Sequence, residues 1–184
     1  MKKLLIFLPL FVGLSACVNP PKGLEANDFT ITNIKKIEAD DYACQCKPVR
    51  LGGKVLSATA LQHQTKLEIL SYPVSKFSAK PVIDAMSDGR FISYVKGFVD
   101  PEAVKEQYVT VSGKLKKPET GKIDQVNYQY PVVQADQFKQ WRLAQEYYYD
   151  YNDWDYWGYW GYGHFRHFGF GGIWREPKLR YRLY

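Results

Sequence analysis

The chain begins with an apolar run that is too short to cross a membrane but long enough to direct export. Two lysines follow Met1, and residues 4–14 then form an apolar stretch of 11 residues. A transmembrane helix needs about 20 apolar residues, whereas a secretory signal needs a positive start and an apolar core of about 7–15. We therefore expect an exported protein that folds in an oxidising compartment.

The residues that close this run resemble the lipobox of bacterial lipoproteins. Residues 14–16, Leu-Ser-Ala, directly precede Cys17. In that class the signal is cut before the cysteine, which then carries the lipid. The resemblance implies a signal peptide at residues 1–16 and a lipidated Cys17. The alternative is an ordinary secretory signal followed by a chance cysteine.

The residues after Cys17 indicate which membrane holds the chain. In Gram-negative lipoproteins an aspartate at the next position commonly retains the protein at the inner membrane, and here that position is Val18. This favours the outer membrane, with the protein lipid-anchored and facing the periplasm. Residues 17–40 are expected to be the anchor and tether, because residues 19–23 (Asn-Pro-Pro-Lys-Gly) form a stiff polar spacer.

The charge of the mature chain does not suggest a nucleic-acid partner. The formal net charge of +6 falls to +4 once the two lysines of the signal are removed. Such a mild positive charge suits contact with anionic lipid head groups, but the sequence carries no block of lysine and arginine. We expect a membrane partner through the lipid anchor and no nucleic acid.

Alternation of apolar and polar residues predicts five strands. They lie near residues 49–55, 67–72, 90–95, 108–115 and 123–133, with a turn at 117–121 between the last two. Short strands without a long amphipathic helix favour an all-β domain at residues 41–141. We predict a small five-stranded Greek-key, OB-like barrel, with Gly52-Gly53 at a bulge or sharp corner. Residues 29–37 suit either a strand or a helical turn.

An ordered set of short motifs resembles the Slp family of starvation-inducible outer-membrane lipoproteins. The motifs run from the lipobox to about residue 141: Val49-Arg50-Leu51-Gly52-Gly53-Lys54-Val55, Leu67-Glu68-Ile69, Gly89-Arg90-Phe91, Gly97-Phe98-Val99-Asp100-Pro101, Val109-Thr110-Val111-Ser112-Gly113, Gly121-Lys122-Ile123 and Tyr128-Gln129-Tyr130-Pro131-Val132-Val133. The resemblance implies an outer-membrane lipoprotein linked to starvation and stress. It carries no catalytic residues across to this chain.

The C-terminal extension, residues 142–184, is rich in aromatic residues and glycine. Of the 28 residues from 147 to 174, 14 are aromatic and six are glycine. This composition suits an irregular, disordered extension, a membrane-interface segment, or a surface that stacks on glycan rings. In the last two cases the contact surface includes four tryptophans, Trp154, Trp157, Trp160 and Trp174. We expect the extension to contact membrane or glycan rather than to complete the core.

The remaining chemistry-bearing residues do not form a recognisable active site. Cys44 and Cys46 are two residues apart, which in a strand permits a strained local disulfide; two free thiols or a bridge to a partner are the alternatives. His164 and His167 are more often a solvated pair than metal ligands in such a glycine-rich stretch. The sequence contains no GxSxG, HExxH or P-loop motif.

These observations predict a non-catalytic envelope protein with no cofactor and no metal. The alternative is a module, tethered to the outer membrane, that binds glycan, peptidoglycan or another envelope component.

Overall fold

The fold is described for residues 19–38, 41–42, 47–148 and 177–184 in a computed structural model. Cys17, Cys44, Cys46, the two tail histidines and the four tail tryptophans lie outside these residues. The described chain contains seven strands: β1 (Pro48–Ala60), β2 (Gln64–Tyr72), β3 (Gly89–Lys96), β4 (Tyr108–Ile123), β5 (Val126–Trp141), β6 (Leu143–Tyr148) and β7 (Lys178–Leu183). One helical turn, α1 (Pro101–Val104), and two 3₁₀ turns, Ala26–Asp28 and Ile34–Lys36, accompany them.

The first five strands form one mixed sheet that closes on itself as a barrel. Their order is β1-β2-β3-β5-β4, and β4 pairs with β1 to complete the ring. All neighbours are antiparallel except β3 and β5, which run parallel from Ile92↔Val132 to Val95↔Ala135. The all-β prediction is therefore confirmed. Within the described ranges, no helix has the length and apolar character needed to cross a membrane.

The predicted strands agree with β1, β2 and β3, but the predicted turn at 117–121 is wrong. β4 continues through those residues, with an irregularity in pairing between Lys116 and Glu119. Pro118 lies in this irregularity, where a missing backbone N–H does not break the ladder. The chain reverses instead at Asp124, whose positive φ of 51° suits a tight turn. β4 and β5 thus form a long hairpin arm, residues 117–130, which precedes the part of β5 that pairs with β3.

The two glycines of β1 allow close approach of neighbouring backbone rather than forming the bulge. The bulge lies between Val55 and Ser57. A Cβ on Gly53 would overlap the carbonyl oxygen of Leu70 on β2. This close approach of the β2 backbone explains why the interior of β1 has a glycine at position 53, where a larger side chain would not fit.

The barrel core is filled by alternating residues of the five strands and is closed by two short segments. Its buried members are Val49, Leu51, Val55, Leu67, Ile69, Phe91, Val95, Val109, Val111, Leu115, Val133 and Ala135, joined by Ile31, Ile34 and Val104. Ile31 forms a parallel β-bridge with Val49, and Ile34 begins a 3₁₀ turn. Residues 29–37 therefore contain both an extended segment and a helical turn, the two structures that their pattern suits. Val104 comes from α1, where Asp100 caps the helix by accepting from the N–H of Glu102.

Candidate functional site

A second, smaller cluster on the outside of β1, β4 and β5 joins the two ends of the chain. Leu24 from the N-terminal segment, Ala79 from the β2–β3 loop, Trp141 from β5 and Leu183 from β7 are all buried together. We call the surface around these four residues the anchored face. It lies at the point where the chain arrives from residue 17.

Arg50 fastens the N-terminal segment to the anchored face. It occupies an outward position on β1, yet it is fully buried. Its guanidinium donates to the carbonyl oxygens of Leu24 at 2.6 Å and of Ser75 at 3.4 Å, and lies 5.8 Å from the centre of the Phe29 ring. Burial lowers the pKa of Arg50. An arginine remains protonated under such a shift, so the carbonyl groups receive charged donors.

The C-terminal strand is held to the same face by polar contacts. Lys80 donates to the carbonyl oxygen of Leu183 at 2.6 Å and lies 5.4 Å from the ring centres of both Trp141 and Tyr184. The indole N–H of Trp141 donates to the Thr110 hydroxyl, which in turn donates to the carbonyl oxygen of Ala79. The last residues of the extension pack on the outside of the barrel, since Leu183 is buried in this cluster and not in the barrel core.

A different surface, formed by β2, β3 and the hairpin arm, carries a network of charged and phenolic groups. The arm places Glu119 over Lys66 of β2, with 2.7 Å between Nζ and Oε2, and over the hydroxyl of Tyr94, which donates at 2.6 Å. It also places Tyr130 over Glu68, to which its hydroxyl donates at 3.1 Å. These contacts close the arm against the barrel wall.

The network continues along the barrel wall to Arg90. Its guanidinium donates to Glu68 Oε1 at 2.9 Å, and its backbone N–H donates to the hydroxyl of Tyr128 at 3.1 Å. The rings of Tyr128 and Tyr130 meet edge to face with centroids 4.7 Å apart. Between wall and arm lies a cavity of about 200 Å³, lined by Ser57, Thr59, Lys66, Glu68, Ile92, Glu119, Thr120, Gly121, Lys122 and Tyr130. We call it the arm cleft.

The ionisable groups of the arm cleft shift one another's pKa values. Burial raises the pKa of Glu119, but the hydrogen bonds from Lys66 and Tyr94 outweigh it, so this carboxyl has a lowered pKa. The bond to Glu119 raises the pKa of Lys66, and the bond to Glu68 raises the pKa of Arg90. Burial, followed by contact with a carboxylate, raises the pKa of Tyr94 and of Tyr130. The carboxyl group of Glu119 is therefore held as an anion with donors around it.

The arm cleft carries groups that can bind a polar ligand. Its carboxylates are each committed to a cation and a phenol, and it has no histidine or cysteine in its lining. In the part of the chain that the structure describes, no group of three metal-ligating side chains comes together. Hydroxyl groups and two lysines in its lining leave hydrogen-bonding capacity for a polar ligand.

Comparison with known proteins identifies the family. The sequence profile of the outer membrane lipoprotein Slp family matches residues 14–166. The chain belongs to this family. It is similar to an uncharacterized protein of Haemophilus influenzae, with 52% identity over 145 residues and 79% of each chain covered. The uncharacterized lipoprotein YeaY of Escherichia coli is 31% identical over 134 residues, which cover 72% of this chain and 69% of the relative.

Outer membrane protein Slp of Escherichia coli is 29% identical over 184 residues, covering 96% of this chain and 88% of the relative. No solved structure matches the chain. Membership of the Slp family makes this a lipid-anchored protein of the outer membrane of a Gram-negative bacterium, as the sequence predicts.

No sequence pattern of this Slp-family chain assigns a binding role to the residues of the arm cleft. Lys66 and Glu68 are two apart on β2, and Arg90 and Tyr94 lie at even spacing on β3, so each pair shares the outward face of its strand. That spacing was available from the sequence. The contact of these residues with Glu119 could not be predicted from the sequence, because it depends on β4 continuing through the predicted turn.

Proposed function

We propose that this chain is a non-catalytic envelope protein that supports survival in starvation and stress, held at the outer membrane by lipid on Cys17. Membership of the Slp family supports the location at the outer membrane. The observation that carries the proposal is the burial of Leu24 and Leu183 in one cluster, because it fixes the tethered end of the chain against a defined side of the barrel. A short tether on a rigid attachment gives the barrel a preferred orientation toward the lipid.

We further infer that the barrel is OB-like. The strand order β1-β2-β3-β5-β4 with a parallel β3–β5 pair and a short helix between β3 and β4 supports this assignment. In OB-folds the face of strands 2 and 3, together with the loops β1–β2 and β4–β5, binds oligonucleotides or oligosaccharides. Here the arm cleft lies on that face, and the β4–β5 arm is folded over it.

Replacement of Cys17 tests the anchor. Cys17→Ala should leave the membrane fraction and fail to label with palmitate, or should accumulate with its signal uncut. The matched control is the double variant Cys44→Ser/Cys46→Ser, which should stay in the outer membrane. Labelling and detergent partitioning of Cys17→Ala at the wild-type level would contradict the proposal.

The stress role is tested by deletion. A strain without this gene should lose viability faster than its parent under starvation and in acid, and the wild-type gene should restore survival. A deletion strain that is indistinguishable from the parent in both conditions would contradict the role.

The second candidate function is a glycan- or peptidoglycan-binding module, and the arm cleft is the observation that favours it. The hydroxyl, carboxylate and ammonium groups that line the arm cleft are groups that bind the hydroxyls of sugars. Sedimentation of the full-length protein with purified peptidoglycan should be weakened by Tyr130→Ala and by Glu119→Gln. The exposed Glu102→Gln on α1 is the control. Sedimentation that no arm-cleft variant reduces would reject this candidate.

A further inference from the structure

Strands β6 and β7 form an amphipathic two-stranded ribbon. In their register Leu143, Gln145 and Tyr147 lie opposite Leu183, Tyr181 and Leu179, so these six residues share one face. The other face carries Glu146 opposite Arg180, and Arg182 beside them; both arginines contact the Glu146 carboxylate, at 3.0 and 3.4 Å. One face of the ribbon is thus apolar and aromatic, and the other is a charged network.

The apolar face of the ribbon begins in the folded structure and continues into solvent. Leu183 is buried in the cluster of the anchored face, whereas Tyr181 is 50% and Tyr147 is 71% exposed. Burial of Leu183 explains how the ribbon is held on the domain. It does not explain why the exposed residues on the same face are also apolar or aromatic. Exposed aromatic residues in a contiguous patch indicate a surface that contacts something else.

The β2–β3 loop adds to this exposed surface. Phe77, at the tip of the loop, is 79% exposed, and Val82 and Tyr184 are also exposed. The loop and the end of β7 enclose an open depression of about 560 Å³, lined by Phe77, Val82, Tyr181 and Tyr184 among others. We call Phe77, Leu179, Tyr181 and Tyr184 the aromatic patch.

The aromatic patch lies beside the tethered end of the chain. Leu24 shares its cluster with Leu183, the neighbour of Tyr184. Leu24 is seven positions after Cys17, and at about 3.6 Å per position this stretch can span at most roughly 25 Å. With lipid on Cys17, the anchored face therefore cannot move farther than this from the leaflet.

We infer that the aromatic patch docks onto the lipid leaflet that carries the anchor, an inference that rests on the proposed lipidation of Cys17. Tyrosine favours the head-group level of a bilayer, where its ring and its hydroxyl both find suitable surroundings. The tether holds the patch at high effective concentration near the leaflet, so weak interfacial affinity is sufficient.

The side chains around the patch suit phospholipid head groups. Lys80 places its ammonium group over Tyr184, while Arg180 and Arg182 lie on the opposite face of the ribbon and add to its positive charge. A lysine side chain can lay its methylene groups along an apolar surface while its charge reaches a phosphate. The ribbon carries Lys178, Arg180 and Arg182 against the single acid Glu146. A leaflet with anionic phospholipid therefore complements this surface.

Photo-crosslinking from lipid to protein tests the inference. The full-length lipoprotein is placed in nanodiscs of phosphatidylcholine and phosphatidylglycerol that contain a trace of diazirine-bearing phospholipid, and adducts are mapped by mass spectrometry. Peptides that contain Phe77 and residues 178–184 should carry roughly tenfold more adduct than the peptide with Val126, since the tether concentrates only the docked surface. Val126 is a suitable internal control because it is 67% exposed at the tip of the hairpin arm.

A matched pair of variants completes the experiment. Leu179→Asp/Tyr181→Asp should lower the adduct on the patch about fivefold, because each aspartate must be dehydrated to enter the interface; Val126→Asp should change nothing. Adducts concentrated on Val126 or spread evenly over the barrel, with the protein still on the nanodiscs, would overturn the docking inference alone. Loss of the wild-type protein from the nanodiscs would contradict the lipid anchor and with it the basis of docking.

Discussion

The guanidinium of Arg50 donates a hydrogen bond of 2.6 Å to the carbonyl oxygen of Leu24, across 26 residues of sequence. This bond joins the barrel wall to the segment that leads to the lipid anchor. Ser112 makes a parallel contact, donating to the carbonyl oxygen of Gly23 at 2.8 Å. The chain therefore leaves the barrel at a fixed place, and the residues before Gly23 form the tether.

Arg50→Met should loosen the N-terminal segment. Loss of a buried, charge-assisted donor leaves the carbonyl oxygens of Leu24 and Ser75 without this partner, and we expect the free energy of unfolding to fall by about 1–3 kcal/mol. Residues 24–30 should also become sensitive to protease, as limited proteolysis followed by urea unfolding would show. Lys54→Met on the same strand is the control, because the partly exposed pair Lys54–Glu106 contributes less than about 1 kcal/mol. Equal effects of the two variants would contradict a fastening role for Arg50.

Leu183→Ala should destabilise the domain although the residue is next to last in the chain. Its side chain is buried against Leu24 and Trp141, and truncation of a buried leucine costs about 2–5 kcal/mol. Leu179→Ala, on the same strand but 45% exposed, should cost less than about 0.5 kcal/mol. Thermal unfolding followed by circular dichroism measures both. A wild-type melting temperature for Leu183→Ala would show that the C-terminal strand is not part of the folded unit.

Gly53→Ala should be far more damaging than Gly97→Ala. A Cβ at Gly53 would overlap the backbone of Leu70, which cannot move without opening the β1–β2 ladder, so we expect a loss of about 3 kcal/mol or more. Gly97 has a φ of +81° and open space around its Cβ position, so only the backbone strain of about 1–2 kcal/mol applies. Urea unfolding of the two variants compares them, and the reverse order would contradict the register of β1 on β2.

Glu119→Gln should weaken the closure of the hairpin arm in a pH-dependent manner. The pKa of Glu119 lies below its usual value of 4.5, so its contribution is complete above that pH and is lost as the pH falls through the folded-state pKa. Because the side chain is over a third exposed, the contribution should stay below about 1 kcal/mol. The difference in melting temperature between wild type and variant should shrink from about pH 6 to about pH 3. A difference that stays constant over this range would contradict the ion pair with Lys66.

The barrel strands could be predicted because their signal is local. Alternation of buried and outward residues fixes β1, β2 and β3 within a few residues, and Pro73 ends β2 in the structure as in the sequence. The hairpin arm was missed because Pro118 and Gly121 together are typical of a turn. The structure of residues 117–121 is decided by pairing across the arm, where Glu119 pairs with Tyr130 and Gly121 with Tyr128. The sequence of one strand alone does not reveal this pairing.

The anchored face depends on contacts between residues distant in sequence. Arg50 occupies an outward position of a strand, where a charged residue is normally solvated. Its burial follows from residues 24–29 and the β2–β3 loop, which approach from elsewhere in the chain. Leu183 likewise follows a stretch whose composition gives no sign of packing, and only its contact with Trp141 gives it a structural role.

The most direct test of the lipid-tethered barrel is the mass of the N-terminal peptide of the mature protein. The wild-type chain, purified from outer membranes in detergent, is digested and analysed by mass spectrometry. This peptide should begin at Cys17 and carry a diacylglyceryl group on the thiol and an acyl chain on the amine. An unmodified peptide, or one that begins at any other residue, would contradict the lipid tether.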